Sequence, residues 1–499
     1  MRLIGEALPL HRLREKLLLI FPELKEFSAV TANAGVGFYI VGGALRDIIL
    51  GIRPKDIDFV PDKPNAAGEM AKLFVEHIGG VVIEFHSHGD VYRVIHGGRS
   101  FDFTELQGND IDADLKRRDF TINSMALHLT NVVNRSDPIG IIDPMGGQAD
   151  IAAKVVRINN PYVYDDDPLR IMRLFRFAYK FDFRIDDFSY RLIPQKLFGL
   201  ERISPERIRD ELFELLSFTG TAKALEAMEG VGLLTRLFPA LGVAKGFPQN
   251  DFHHLDVYSH TLAAIEELEN PRLLEDPRMA GFEKKMRDRL QAKYQSGHCI
   301  LSLMKLGMIL HDIGKPGCAT QDEKGRLHFI GHEKLSALMA KEYLIDLRLS
   351  KREISYVLKL IDAHMRPGQI HLESNNLHKQ LYRYFKDLGV EGADLALFSL
   401  ADRLAARGPA VTEEMINREY EICRLLFDTF FNRAQIIAKP PKLMTGRMLI
   451  EELGVKPGPR VGLLLDKIEE AQIDGTIANT TAAIAYAKEL IRLFEREEG

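Results

Sequence analysis

Several features are scarce in this chain of 499 residues, and each scarcity narrows the field. Cysteine occurs three times, at Cys299, Cys318 and Cys423, without ligand-like spacing. That argues against thiolate zinc sites and against a disulfide framework. No stretch approaches the roughly 20 apolar residues of a membrane span. The run Leu17 to Phe21 is short and flanked by charges, unlike a signal peptide. A reducing cytoplasm is therefore the expected compartment, with no membrane partner. Neither an internal repeat nor a low-complexity tract is visible. There is also no excess of positive charge: the formal net charge is −5. Any nucleic-acid contact must then come from local basic surfaces rather than a global field. Candidates are Lys116-Arg117-Arg118, the Arg170/Arg173/Arg176 row, Arg202/Arg207/Arg209 and Lys284 to Lys293, although each is equally explained as a solvated face.

What is present is an ordinary globular composition, 46% hydrophobic and 27% charged. The length exceeds one core, so about two to four domains are expected. Residues 1–35 read as a helical lead-in, and 36–150 hold the β-rich part. Within it, His96-Gly97-Gly98-Arg99 marks a tight hairpin between Val91 to Ile95 and Ser100 to Thr104. From Asp165 onward the pattern is helical, broken at Gly199, Ser204-Pro205, Gly220 and Gly230-Val231-Gly232. Asn270 to Gln295 is highly charged, an insertion or an exposed helix. Pro440-Pro441 opens a last compact helical piece.

The most informative stretch is Tyr39-Ile40-Val41-Gly42-Gly43-Ala44-Leu45-Arg46-Asp47, followed by Lys55-Asp56-Ile57-Asp58-Phe59-Val60. It reads as a buried strand, a glycine turn, a short helix and a second strand carrying two acids. The glycines let the backbone approach a triphosphate where the helix opens. Asp56 and Asp58 are two apart on a strand and share a face, offering hard oxygen donors suited to Mg²⁺. Asp102, on the second hairpin strand, completes a three-carboxylate cluster if it lies beside them; otherwise it is an exposed strand acid. Nucleotidyl transfer uses such a cluster to activate a 3′-hydroxyl and hold the triphosphate. In Asp114 to Ala126, Phe120, Ile122 and Met125 are anchors and Arg118 reaches toward polyphosphate or ribose.

In Asp165-Asp166-Asp167-Pro168-Leu169-Arg170, Pro168 fits a helix first turn, so capping explains the acids as well as binding does. Asp167 and Arg170 are three apart and share a helix face, continued by Arg173 and Arg176. An acceptor beside a donor fork matches the base edge shared by cytosine and adenine, an amino donor next to a ring-nitrogen acceptor.

These motifs, Gly-Gly-Ala-Leu-Arg-Asp at 42–47, Asp-Ile-Asp at 56–58, Arg-Arg-Asp-Phe-Thr-Ile-Asn at 117–123 and Asp-Asp-Pro-Leu-Arg at 166–170, occur in order. With Ile203-Ser204-Pro205-Glu206-Arg207-Ile208, they resemble the bacterial class II tRNA nucleotidyltransferase and poly(A) polymerase family over roughly 36–245, and more loosely beyond. The resemblance implies an α+β chain: a polymerase-β-like head (36–150), then an all-α neck (151–245), an HD-type body (246–430) and a tail (431–499). It implies Asp56 and Asp58 as Mg²⁺ ligands, with Asp102 as the third acid. Gly42, Gly43, Arg46, Asp47, Arg118, Asp119, Asn123, Arg173 and Arg176 would bind the nucleotide, and Asp167 with Arg170 would choose C or A. The implied reaction adds C, A or both to the tRNA 3′ end from CTP and ATP without a nucleic-acid template. A poly(A) polymerase would share every one of these motifs. Two departures stand out: only Phe103 to Ala113 separate the third acid from the Asp114 motif, a shortening that resembles relatives stopping after CC, and Asp166 replaces the usual Glu.

A second constellation lies downstream. His260, His311-Asp312 and Asp402 resemble the ordered ligands of HD-type metal phosphohydrolases, with His332 and His364 as candidates for a second metal. Imidazoles plus carboxylates suit Mn²⁺, Fe²⁺, Ni²⁺ or Mg²⁺. A buried histidine paired with its neighbour, in a helical scaffold without turnover, is the structural alternative. A rival whole-chain reading is an HD phosphohydrolase with a vestigial RNA-binding head.

Overall fold

A computed structural model describes residues 10–85, 91–134, 140–294, 297–433, 442–473 and 475–497. Pro440-Pro441 and the first nine residues of the lead-in fall outside the described residues. The chain divides into two compact units, Met1–Phe218 with Ala227–Arg236, and Thr219–Glu226 with Leu237–Gly499.

The first unit is built on one six-stranded sheet in the order β3-β4-β5-β2-β1-β6. Its strands are β1 (Phe38–Val41), β2 (Asp56–Pro61), β3 (Val81–Phe85), β4 (Val91–His96), β5 (Arg99–Thr104) and β6 (Ala126–His128). Only β2 and β5 pair in parallel; the remaining neighbours are antiparallel. The β4–β5 hairpin turns at Gly97 and Gly98, both at positive φ (57° and 74°), as a two-residue primed turn requires. Alternation does the rest. Ile57, Phe59, Phe101 and Phe103 point to one face and are wholly buried. On that side Phe27, from helix Leu24–Ala34, meets Phe38, Phe59, Phe74 and Phe103 with ring centroids 4.8–5.3 Å apart. This aromatic layer fixes the strands from behind, and the acids project from the other face.

The same unit continues into helices Arg170–Phe181, Asp187–Leu192 and Pro205–Leu216. Ile171, Leu174, Phe175 and Ala178 recur at helical spacing and bury one side of the first of these. The expected helix start at Pro168 is corrected. Val163–Asp166 is a separate short helix, Asp167 is extended (φ −151°, ψ 99°), and the long helix begins at Arg170. The residue before a proline is pushed out of the helical region, which explains the break.

Among its described residues the second unit is helical apart from a two-residue strand pair. Helix Ile300–Leu310 buries all but one of its residues, as expected of a helix apolar all round, and helix Glu391–Ala405 is almost as enclosed. Helices Val257–Glu269, His332–Asp346 and Lys351–Ala363 supply the rest of that core's site-bearing elements. The charged stretch from Asn270 holds short helices, one of which, Glu283–Gln291, buries Met286 and Leu290. Gly446–Glu451, Pro459–Ile473 and Thr480–Glu497 share a small core of their own around Leu449, Leu464 and Ile468. Among the described residues no helix is long and apolar enough to cross a membrane.

Candidate active site and candidate metal cluster

Register brings the first site together. Asp58 pairs with Val41 on one side and with Asp102 on the other, so it lies between the glycine bend and the third acid. Gly42 has φ 71°, and a Cβ there would sit 3.2 Å from Arg118 Nη1 and 3.5 Å from Asp58 Oδ2. Any side chain would therefore be strained and would fill the gap that a phosphate needs. Asp56, two residues earlier, projects from the same face. Burial pushes the Asp58 carboxyl up to about 6, with Asp102 and Asp56 adding to the rise and Arg118 opposing it. Asp56 is raised too, by burial and by Asp102. These acids are short of positive charge, the condition a divalent cation relieves.

Asp102 lies beside Asp58 as expected and is buried rather than an exposed strand acid, but it has a partner of its own. Arg93, directly opposite it across the hairpin, grips it with two hydrogen bonds of 2.7 and 2.6 Å. Among the described residues the oxygens of Asp56, Asp58 and Asp102 do not gather into a group within 4.8 Å of one another. The third acid shares the face but is turned onto an arginine.

The cleft beside Asp58 has a volume of about 440 Å³ and is lined by Gly42, Gly43, Arg46, Arg118, Asp119, Asn123, Asp167, Arg170, Arg173, Arg176 and Phe177. Asp47 lies behind it, holding the Arg46 guanidinium (2.8 and 2.6 Å), while Arg46 also donates to Asn123. Arg118 is held by Asp114 at 2.9 Å. Asp119 accepts from Asn123 (2.9 Å) and from Arg173 (2.7 Å). Burial alone would raise Asp119, but Arg173 and Asn123 outweigh it and keep it below the usual carboxylate range. The guanidiniums of Arg46, Arg173 and Arg176 lie 4.9, 5.4 and 4.2 Å from the Phe177 ring centroid. Asp167 lines the cleft from the turn before the helix rather than from a helix face. Its Oδ1 accepts the Leu169 N–H (3.2 Å) and its Oδ2 takes Arg207 (2.7 Å), so the capping alternative is realised alongside an ion pair. Arg170 approaches Asp166 at 3.9 Å.

In the second unit, His260, His311, Asp312 and Asp402 place ligand atoms within 4.8 Å of one another, and Asp312, His332 and His364 form a second such group. Asp312 belongs to both. The Nδ1 atoms of His311, His332 and His364 donate to the carbonyls of Met308, Phe329 and Ile361 at 2.8, 2.7 and 2.6 Å. That fixes each ring with its Nε2 turned inward. The Nε2 atoms of His332 and His364 consequently face each other at 3.2 Å. Asp312 Oδ2 lies 2.6 Å from Lys315 Nζ and 3.1 Å from His311 Nε2, and Asp312 Oδ1 lies 3.3 Å from His332 Nε2. Burial disfavours the His311 imidazolium, yet Asp312 and Asp402 overcome this and raise it to about 10. Burial and His311 push His364 down to about 4. A cavity of about 570 Å³ adjoins the cluster, lined among others by His253, Lys315, His332, His364, Asp402, Arg403 and Arg418.

Residues 38–157 match the family described as poly A polymerase head domain, 182–244 that described as probable RNA and SrmB- binding site of polymerase A, and 320–487 that described as tRNA nucleotidyltransferase domain 2, putative. An A-adding tRNA nucleotidyltransferase of Deinococcus radiodurans is 30% identical over 91% of this chain and 95% of its own. The chain belongs to the tRNA nucleotidyltransferase family. A CC-adding tRNA nucleotidyltransferase of Thermus thermophilus is likewise 30% identical, over 89% of this chain and 92% of its own. Among solved structures, a CCA-adding enzyme in complex with CTP shares the fold with a TM-score of 0.62 at 22% identity, covering 98% of this chain and 99% of that one.

For this tRNA nucleotidyltransferase, sequence reasoning overlooked three site residues. Glu211, on helix Pro205–Leu216, ties Arg176 (2.7 Å) and Arg173 (3.5 Å) into one array, and nothing local in sequence signals it. Phe177 carries no polar group that would mark it in sequence as lining the cleft. Arg93 was legible in principle: a two-residue turn at Gly97-Gly98 sets 93 opposite 102.

Proposed function

We propose that the chain adds C, A or both to the 3′ end of tRNA, taking CTP or ATP and releasing pyrophosphate, with base choice made by protein side chains. The observation that carries this reading is the placing of Asp58 between the Gly42 bend and Asp102, at the edge of an arginine-lined cleft. The glycine bend lets the backbone approach the triphosphate, and Arg46, Arg118, Arg173 and Arg176 neutralise its charge. Their existing partners (Asp47, Asp114, Asp119, Glu211) hold each guanidinium in place before substrate arrives. The RNA 3′-hydroxyl attacks the α-phosphorus in line as pyrophosphate departs on the arginine side. Mg²⁺ held by Asp56 and Asp58 would supply the activation of that hydroxyl and the charge compensation at the α-phosphate. Asp167 and Arg170 offer the acceptor and donor fork for C or A, which requires Arg207 to release the Asp167 oxygen it now holds.

Relatives named for CC addition and for A addition are both 30% identical to the chain, so the product decides. The test incubates the purified chain with tRNA lacking CCA, and with an unstructured RNA primer, under CTP alone, ATP alone and both. One to three residues of C, A or CCA on tRNA alone support the reading. Long A tracts on either RNA would make it a poly(A) polymerase.

A second, separate reading concerns the His/Asp cluster. The inward-turned Nε2 atoms of His332 and His364 and the Asp312 carboxylate shared by both groups favour resident divalent metal, held by His260, His311, Asp312 and Asp402, with His332 and His364 completing a second position. Such metal would supply an activated water for phosphoester hydrolysis. Lys315, Arg403 and Arg418, lining the adjacent cavity, suit a phosphate ligand.

A further inference from the structure

The face of the sheet that carries the acids extends beyond them, and what lies there is unusual. Register aligns Asp58 with Asp102, Asp102 with Arg93, and Arg93 with Ile83, across β2, β5, β4 and β3. Ile95, two residues from Arg93, and Val81 and Phe85, two from Ile83, share that face. On the opposite face the strands are covered: Phe59, Phe101, Phe103 and Val94 are wholly buried. On the acid-bearing face they are not. Val81 is 62% exposed, Ile83 38%, Phe85 42% and Ile95 43%. Four large apolar side chains thus form an open strip about 10 Å from Asp102, two strand spacings away.

We propose that this strip receives the unpaired 3′-terminal bases of the RNA being extended. The inference rests on the nucleotidyl-transfer reading above and names the second substrate's place in it. Its ground is the geometry of displacement. The Gly42 bend and the arginine cleft lie on the β1 side of Asp58, so the triphosphate and the departing pyrophosphate occupy that side. In-line attack puts the entering oxygen opposite the leaving one. The RNA 3′-hydroxyl must then come from the β5–β4–β3 side, where the apolar strip and Arg93 are. An unpaired base has an apolar π-face that stacks on such side chains without sequence preference, and a cation beside them suits the phosphate backbone. Arg93 supplies it: its guanidinium lies 5.6 Å from the Phe85 ring centroid and 2.6 Å from Asp102 Oδ2, between strip and acids. The strip accepts any base, as a surface must when the terminal nucleotide changes with each addition.

The test uses the full chain and a tRNA ending in 2-aminopurine, whose fluorescence is quenched by stacking. Binding is followed with EDTA present, so no chemistry intervenes. Wild type should quench the probe, and Phe85→Ser with Ile83→Ser, both at exposed positions, should abolish the quench. With unlabelled tRNA and metal, the same variant should show KM for RNA raised roughly tenfold, the order of one lost stacking contact, while KM for CTP stays within twofold. An unchanged quench and unchanged KM for RNA would overturn the proposal. So would gel filtration in which wild type is a dimer and the variant a monomer, since the strip would then be an interface between copies. A wild type that quenches the probe but adds no nucleotide would refute the proposed activity while leaving the surface assigned.

Discussion

The two sites of this chain hold their charges in opposite ways. In the head cleft almost every ionised side chain already has a protein partner: Asp102 with Arg93, Asp119 with Arg173, Arg176 with Glu211, Asp167 with Arg207. In the histidine cluster the rings are pinned by backbone carbonyls, and their inner nitrogens converge on Asp312, whose ion pair is with Lys315 at 2.6 Å. Paired charges at a partly open cleft can exchange partners as substrates come and go. Buried ligand atoms held in one orientation by the backbone suit an ion that stays among them. The head is arranged for traffic, the cluster for residence.

The sharpest way to break that contrast is Asp312→Asn, because Asp312 belongs to both ligand groups. Metal analysis should find the divalent ion proposed for the cluster in wild type and not in the purified variant, and the proposed phosphoester hydrolysis should fall by about 10³-fold or more, as for other losses of a metal-activated nucleophile. Nucleotide addition should stay within twofold. If addition fell in step with hydrolysis, the sites would not be separable. A smaller effect is expected from Arg170→Ala. Losing one two-pronged contact to a base edge should reduce preference for CTP and ATP over UTP by roughly 10- to 100-fold, read by competitive incorporation. Unchanged preference would remove Arg170 from base selection.

The mildest effect is on pH. Asp58 titrates near 6 without metal, and a proton competes with the cation for the same oxygens. Above pH 6 Asp58 is ionised and Mg²⁺ affinity should be flat. Below it, apparent Kd should rise by up to about tenfold per pH unit, and Asp58→Asn should remove that slope. A slope that persists in the variant would mean another group governs metal binding.

Much of this arrangement was written locally in the chain. The Gly42-Gly43 bend, the alternate acids at 56 and 58 and the glycine hairpin at 97–98 depend on neighbours a few residues apart, and each appears as the pattern implies. The order His260, His311-Asp312, Asp402 was legible because a helical pattern carries each ligand on its own segment. What escaped depends on distant register or on competition between local rules. Pro168 looked like a helix first turn, but its effect on Asp167 prevailed and moved the helix start to Arg170. Glu211 reaches Arg176 only because two helices pack side by side, which no motif announces. That Asp312 belongs to both groups follows from where five helices converge. The diversion of Asp102 onto Arg93 reflects three like charges on one face seeking the nearest cation.

The account turns on the acids beside the glycine bend, and single-turnover addition by Asp56→Ala tests it most directly. Wild type and variant are compared on tRNA lacking CCA with CTP, ATP and Mg²⁺, with tRNA affinity measured in parallel. The variant should bind tRNA within about twofold of wild type and add no nucleotide, a loss of about 10³-fold or more. Incorporation at the wild-type rate with Asp56 gone would contradict it.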